Sequence, residues 1–161
     1  MSFDSLKRAL PDKVFTPGTE QYNASLQSYY TAFERSLSPG TIVRPETAEE
    51  VSTIVKLARD ETLQLAIKGG GAMPWAGAAN INGGVTVDLE NISGVTLSAD
   101  NKTVQIGAGE RWGNVFRILH EKGLATVGGR IPIVGVVGLI LGGASITMRL
   151  LPKVIFSHLT R

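Results

Sequence analysis

Between two apolar, β-rich segments, Leu65-Ala66-Ile67 and Val85-Thr86-Val87-Asp88-Leu89, the chain runs KGGGAMPWAGAANINGG from Lys68 to Gly84. Three consecutive glycines straight after a strand put no Cβ between the backbone and whatever lies beside it. Glycine also enters positive φ at little cost, so successive amides can converge on one bound group, most economically a phosphate. A cofactor cradle and a wide turn between two strands both satisfy this pattern.

Composition narrows the choice. A chain of 161 residues buries one respectable core. Sixteen Lys and Arg against fourteen Asp and Glu leave a net charge of +2 without a basic stripe, which argues against nucleic acid as a partner. Hydrophobic residues at 43% with nineteen glycines describe a packed, turn-rich chain. The absence of cysteine excludes disulfides, thiolate catalysis, cysteine metal sites and cysteine-linked cofactors. The N-terminus, MSFDSLKRALPDK, has no continuous apolar core, so no secretory signal is read and a cytoplasmic location is expected. The sequons at Asn23, Asn91 and Asn101 are then chance matches. Ile131–Leu141 is apolar but falls short of the roughly 20 residues of a membrane span and contains Pro132, so it reads as a buried turn and no membrane contact is expected. No ligand set stands at metal spacing, and His120 reads as a surface or packing histidine.

Residues 1–38 read as a helical preface: Phe3, Leu6 and Leu10 share a face, and Tyr22, Leu26, Tyr29, Tyr30 and Phe33 continue the spacing as core packing. Thr41–Arg44 is a short strand. Thr47-x-x-Glu50 is a capping box, in which the Glu50 carboxylate is expected to return to the cap residue's own N–H. Val51, Ile54, Val55 and Ala58 form the apolar face of the helix that follows, which should end near Asp60 to Thr62. Leu63–Ile67 reads as a buried strand, making a strand-helix-strand unit suited to a parallel pair. Val85–Leu89 is a third strand. Val95–Ser98 and Thr103–Ile106 alternate around turn chemistry and should pair as a hairpin. A second helix is expected from Glu110, where an acid suits the positive helix end, with Trp112, Val115, Phe116 and Leu119 inward and Gly123 as terminator. Gly128-Gly129-Arg130 opens a second glycine-rich passage that runs to Gly142-Gly143. The stretch from Ala144, ASITMRLLPKVIFSHLTR, carries no acid and no glycine and fits neither glycine loop.

Named motifs fail one by one. No Gly-Lys-Ser/Thr exists for a Walker loop, Trp112 stands where Gly107-x-Gly109 would need its third glycine, and no serine sits in G-x-S-x-G. The order AIKGGG at 66–71, Gly77, GGVTVDLENI at 83–92, VQIGAGERWGNVFRIL at 104–119, and GLATVGGR followed by VGVVGLILGG closely resembles the FAD-binding (PCMH-type) domain of the vanillyl-alcohol-oxidase superfamily, most of all its berberine-bridge-like oxidases. The resemblance runs from about Thr41 to Gly143. It implies an α+β fold of mixed sheets packed with helices, and FAD as cofactor. The first loop, Lys68, Gly69, Gly70, Gly71, Ala72, Met73 and Gly77, would wrap the pyrophosphate, with Lys68 adding a positive charge at its edge or standing solvated at a strand end. The second, with Gly128, Gly129, Gly135, Gly138, Gly142 and Gly143, would run beside the flavin. The implied activity is an oxidoreductase that takes a hydride from a small organic substrate, of fungal secondary-metabolite type, onto flavin N5.

The departures carry as much as the matches. Family members commonly have histidine, covalently bonded to the flavin, where this chain has Ala72, so any FAD is held noncovalently. The pattern V-G-V-G-G becomes Val134-Gly135-Val136-Val137-Gly138, and G-G-G becomes Gly142-Gly143-Ala144, which either crowds the ring or reshapes the loop. The family's substrate half, with its acid and base residues, has no counterpart, so no catalytic residue is named. The expected organisation is a helical preface over 1–40, a partial FAD-binding domain over 41–143 and a divergent tail over 144–161. Uncovered sheet edges would favour association. A remnant or binding module that keeps the fold without flavin is the alternative.

Overall fold

The computed structural model describes residues 2–143 and the backbone of Val154–His158. Two four-stranded sheets, each with its own apolar core, are joined where the two glycine passages meet. In the first, β1 (Val14–Phe15), β2 (Thr41–Val43), β3 (Leu65–Lys68) and β4 (Val85–Asp88) lie in the order β1-β2-β4-β3. β1 is antiparallel to β2 and the other pairs are parallel. The strand-helix-strand unit is therefore parallel as expected, but β4 is inserted between its two strands, with Thr86 in register with both Ile42 and Ala66. Flanked on both sides, β4 is buried along its whole length.

The connecting helix, α4 (Ala48–Asp60), begins at the expected cap, where Thr47 Oγ1 accepts from Glu50 N at 3.2 Å. The Glu50 carboxylate, however, reaches one residue further back, accepting from Glu46 N at 2.7 Å and from Lys13 Nζ. Val51, Ile54, Leu57 and Ala58 form the buried face against Leu6, Val43 and Val87, whereas Val55 points outward. The expected face was wrong by one position because Val55 and Leu57 flank the same stripe, and the core lies on the Leu57 side.

The preface is not continuously helical. α1 (Asp4–Ala9) packs Phe3, Leu6 and Leu10 into the core as expected, but β1 follows, and then two short helices, α2 (Glu20–Gln27) and α3 (Ala32–Arg35). Thr31 caps α3 by accepting from Glu34 N, which restarts the helix and breaks the aromatic stripe. Tyr22 and Tyr29 are buried while Tyr30 and Phe33 are exposed. β3 is an edge strand, so Ile67 is 47% exposed rather than buried.

The second sheet has the order β5 (Val95–Leu97), β6 (Thr103–Ile106), β8 (Val154–His158) and β7 (Ala125–Thr126). The hairpin pairs as expected, Val95 opposite Ile106. β8, from the stretch the sequence pattern left unassigned, lies parallel to both β6 and β7. α5 (Trp112–His120) buries Trp112, Val115 and Leu119, and Gly123, at φ 66°, ends it. His120 is exposed. Glu110 lies ahead of α5 and is used differently from the expectation: its carboxylate accepts from Gly94 N at 2.9 Å and Asn114 Nδ2 at 2.9 Å, tying the hairpin to the helix. The apolar run after Ile131 is not a buried turn either. Ile131 and Ile133 are exposed, and α6 (Val136–Leu141) follows. Among the described residues no helix is long and apolar enough to cross a membrane.

Candidate functional site

The first glycine loop leaves the end of β3, and a buried charge lies beneath it. Lys68 is neither a loop-edge cation nor a solvated one. It is 1% exposed, and its Nζ sits 2.7 Å from Asp88 Oδ2, its register partner on β4. The ammonium also donates to Ser28 Oγ at 2.6 Å and to Ser25 O and Oγ at 3.1 Å, and it lies 4.8 Å from the Tyr29 ring centroid. Burial pulls the Lys68 amine below the usual lysine range, and the Asp88 carboxylate opposes that shift. Arg44 stands on the far side of Asp88, 3.7 Å away, and reaches Glu90 at 3.2 Å. Gly71 rests on this cluster: at φ 64° it has the Tyr29 ring and Lys68 Cε directly beneath it, and its carbonyl accepts from Tyr30 N at 2.9 Å.

The far end of the same loop is held by a carboxylate. Glu34, fully buried on α3, accepts from Ala79 N at 2.7 Å and from Gly77 N at 3.2 Å. Tyr29 Oη donates to Ala79 O at 2.7 Å, and burial, with Asp88 and Glu34 adding, pushes that phenol upward. Asn80 closes the bend by donating to Glu34 O and accepting from Thr86 Oγ1.

The second passage meets the first backbone to backbone. A Cβ on Gly70 would lie 2.3 Å from Gly135 N, and a Cβ on Gly135 would lie 2.3 Å from Gly70 N, so neither position accepts any other residue without parting the loops. Beside this contact is a cleft of about 400 Å³, lined by Gly69, Gly70, Gly71, Ala72 and Met73 on one wall and Gly135, Gly138 and Gly142 on the other. Ile67, Ala78, Ala79, Val134 and Leu139 complete the lining. Thus eight of the thirteen expected site residues come together.

The other five do different work. Lys68 lies behind the loop. Gly77 lines a neighbouring hollow with Leu37, Leu65 and Asn82. Gly128 and Gly129 face the Trp112 ring, where a Cβ would approach within 2.1 Å and 2.6 Å, so they are glycine for packing. Gly143, at φ 70°, follows the last turn of α6. Val137 does not enter the cleft: it packs on the first core and against Gly69 while its neighbour Val136 belongs to the second core. Ala144 lies outside the described residues.

The fit to a diphosphate-linked cofactor rests on the amides. Among the described residues, the backbone N–H groups of Gly70, Gly71, Ala72 and Met73 donate to nothing in the chain, although Gly70 and Gly71 are buried. Buried amides are nearly always paired, so a run left free along a cleft is a donor set awaiting an acceptor. Among the described residues no side chain plugs the space, and Ala72 offers no atom for a covalent link. The diphosphate of a dinucleotide fits these donors, with no covalent link at Ala72.

A two-sheet α+β domain with its cleft between side-chain-poor loops is a nucleotide-cofactor-binding domain. The chain belongs to the FAD-binding domain family, whose profile matches residues 39–161, and within it to the berberine-bridge-like, vanillyl-alcohol-oxidase group of FAD-dependent oxidoreductases. It is 36% identical over 115 residues to the FAD-dependent monooxygenase tpcD of Cochliobolus heterostrophus, covering 71% of this chain and 22% of that protein. To the FAD-dependent monooxygenase drtC of Aspergillus calidoustus it is 37% identical over 139 residues, 84% of this chain and 26% of the relative. Among solved structures, Physcomitrella patens BBE-like 1 aligns with TM-score 0.74 and 25% identity over 89% of this chain and 31% of that one. The 6-hydroxy-D-nicotine oxidase of Arthrobacter nicotinovorans aligns with TM-score 0.72 and 27% identity, over 81% and 28%. The chain thus spans about a quarter of the length of the curated relatives it matches.

The sequence reading did not find Glu34, Tyr29, Ser25, Asn80 or Asp88. One signal was available: an aspartate ending the otherwise apolar run Val85-Thr86-Val87, opposite a lysine ending the neighbouring strand.

Proposed function

We propose that this chain forms the cofactor-gripping part of a flavin-dependent oxidoreductase, holding FAD noncovalently for the oxidation of a small organic molecule of secondary-metabolite type. The observation that carries this reading is the run of amides from Gly70 to Met73 that, among the described residues, donate to no partner along the glycine-lined cleft. When bound, FAD supplies the two-electron acceptor. The chain's own contribution is positional: main-chain dipoles for the diphosphate, an apolar wall from Ile67, Val134 and Leu139, and a loop backed by Lys68 and anchored by Glu34. The relatives named FAD-dependent monooxygenases support the flavin-dependent oxidoreductase part of this reading.

A second reading, cofactor binding without turnover, is favoured by the cleft's lining, which among the described residues contains no titratable side chain. Proton transfer there has no donor or acceptor among those residues. Purified protein mixed with FAD should become yellow, retain the flavin through gel filtration and release all of it on acid precipitation. Reduction by candidate substrates then separates the two readings. Colourless protein with no affinity for added FAD overturns both.

A further inference from the structure

We propose that Glu34 is a positioning residue for FAD, bracing the first glycine loop from a segment that lies ahead of the family-matched residues; this rests on the cofactor reading above. The loop's outer part, residues 73–78, is exposed, and Gly77, at φ 83°, has nothing within 4 Å of its Cβ direction, so packing does not hold it. What holds it is hydrogen bonding at its two ends. At one end Tyr30 N is bonded to Gly71 O, and at the other the Glu34 carboxylate takes the amides of Gly77 and Ala79. Both anchors come from residues 29–34, whereas the family match begins at residue 39. Glu34 is 0% exposed and has no basic side chain within ion-pair distance among the described residues, so its charge is met by loop amides rather than by a cation. A buried carboxylate so placed is costly to keep unless those amides stay in position. It therefore sets the loop before cofactor arrives, and the ordering entropy that an unbraced loop would lose on binding is already spent.

The test compares the full chain with Glu34→Gln. Glutamine preserves size but turns one of the two acceptors into a donor facing an amide. FAD affinity, read by quenching of flavin fluorescence, should fall by about tenfold, in line with loss of a charge-assisted bond. Hydrogen exchange at the Gly77 and Ala79 amides should accelerate while the core strand β4 keeps its protection. A folded Glu34→Gln protein with wild-type FAD affinity overturns the proposal, as does rapid exchange of those two amides in the wild type. Should Glu34→Gln not fold, the wild type decides alone: added FAD must slow exchange further at Gly77 and Ala79, and no change there sinks the idea. Wild-type protein that protects both amides but takes up no FAD instead overturns the cofactor reading, so the two failures are distinct.

Discussion

Lys68 and Asp88 stand opposite each other in register on neighbouring parallel strands, with Nζ and Oδ2 2.7 Å apart and both side chains sealed from solvent. Burying two charges costs several kcal/mol per ion, and their attraction repays this only while both are present. Asp88 is the carboxylate that meets the Lys68 ammonium, so its removal strands that buried cation while Arg44 keeps Glu90, whereas removal of Lys68 leaves Asp88 with Arg44 and Ser25. Asp88→Ala should therefore destabilise more than Lys68→Ala, with the larger loss about 3–5 kcal/mol in urea denaturation. The double variant Lys68→Met/Asp88→Leu should lose clearly less than the two single losses added together. Additive losses would show that the pair is not coupled.

Periodicity exposed the elements that pack by one face. α5 and the hairpin lie where Trp112, Val115 and Leu119 and the alternation around Asp100 put them, because in both the apolar pattern and the local turn chemistry agree. It missed what depends on tertiary order. Ile67 looks like core in sequence and is exposed only because β4, which follows it in the chain, inserts on the inner side and leaves β3 at the edge. The site was legible by half. The glycine runs marked where backbone comes close, but not whether it approaches a ligand, as Gly138 does, another loop, as Gly70 does, or an indole ring, as Gly128 does. Glu34 gave no signal of its role, since a charged residue in a helix is ordinarily solvated, and Lys68 gave one only through the aspartate that ends the neighbouring strand.

The same distinction among glycines predicts opposite outcomes for one substitution. Gly70→Ala and Gly135→Ala each force a methyl into facing backbone, and overpacking of this kind costs about 1–3 kcal/mol. Both should lower the denaturation midpoint and weaken FAD binding together. Gly138→Ala meets nothing within 4 Å and sits inside α6, where alanine is favoured over glycine by up to about 1 kcal/mol. That variant should be as stable as the wild type or more so, yet bind FAD less well, because its methyl enters the cleft. Equal FAD affinity for Gly138→Ala and wild type would mean that the cofactor lies elsewhere.

Val137 stitches the second loop to the first core while Val136 holds the other core. Val137→Gly introduces the residue that the family resemblance implies there but removes a packed side chain from a helix. A loss of about 2 kcal/mol follows from half-buried valine plus helical glycine. FAD affinity should change little, since Val137 does not line the cleft. A strong gain in affinity would show instead that the valine obstructs the cofactor.

The Glu50 contact at the start of α4 makes stability sensitive to acid. The backbone N–H of Glu46, and after it the ammonium of Lys13, hold the Glu50 carboxyl below its ordinary 4.5. Between that lowered value and 4.5 the unfolded chain binds more protons than the folded one, so stability falls as pH drops through the window, and the contribution is gone below the folded-state value. Lys13, raised above 10.5 chiefly by Glu50 and then Glu46, behaves conversely: its contribution is complete below 10.5 and is lost as pH climbs through the folded-state value. Glu50→Gln should flatten both ends of the profile. Urea midpoints measured across the acid and alkaline limbs test this, and a Glu50→Gln profile parallel to that of the wild type on both limbs would remove Glu50 as the sensor. Because the pair is only partly covered from solvent, added salt should narrow the difference between the two proteins without abolishing the bond from Glu46 N.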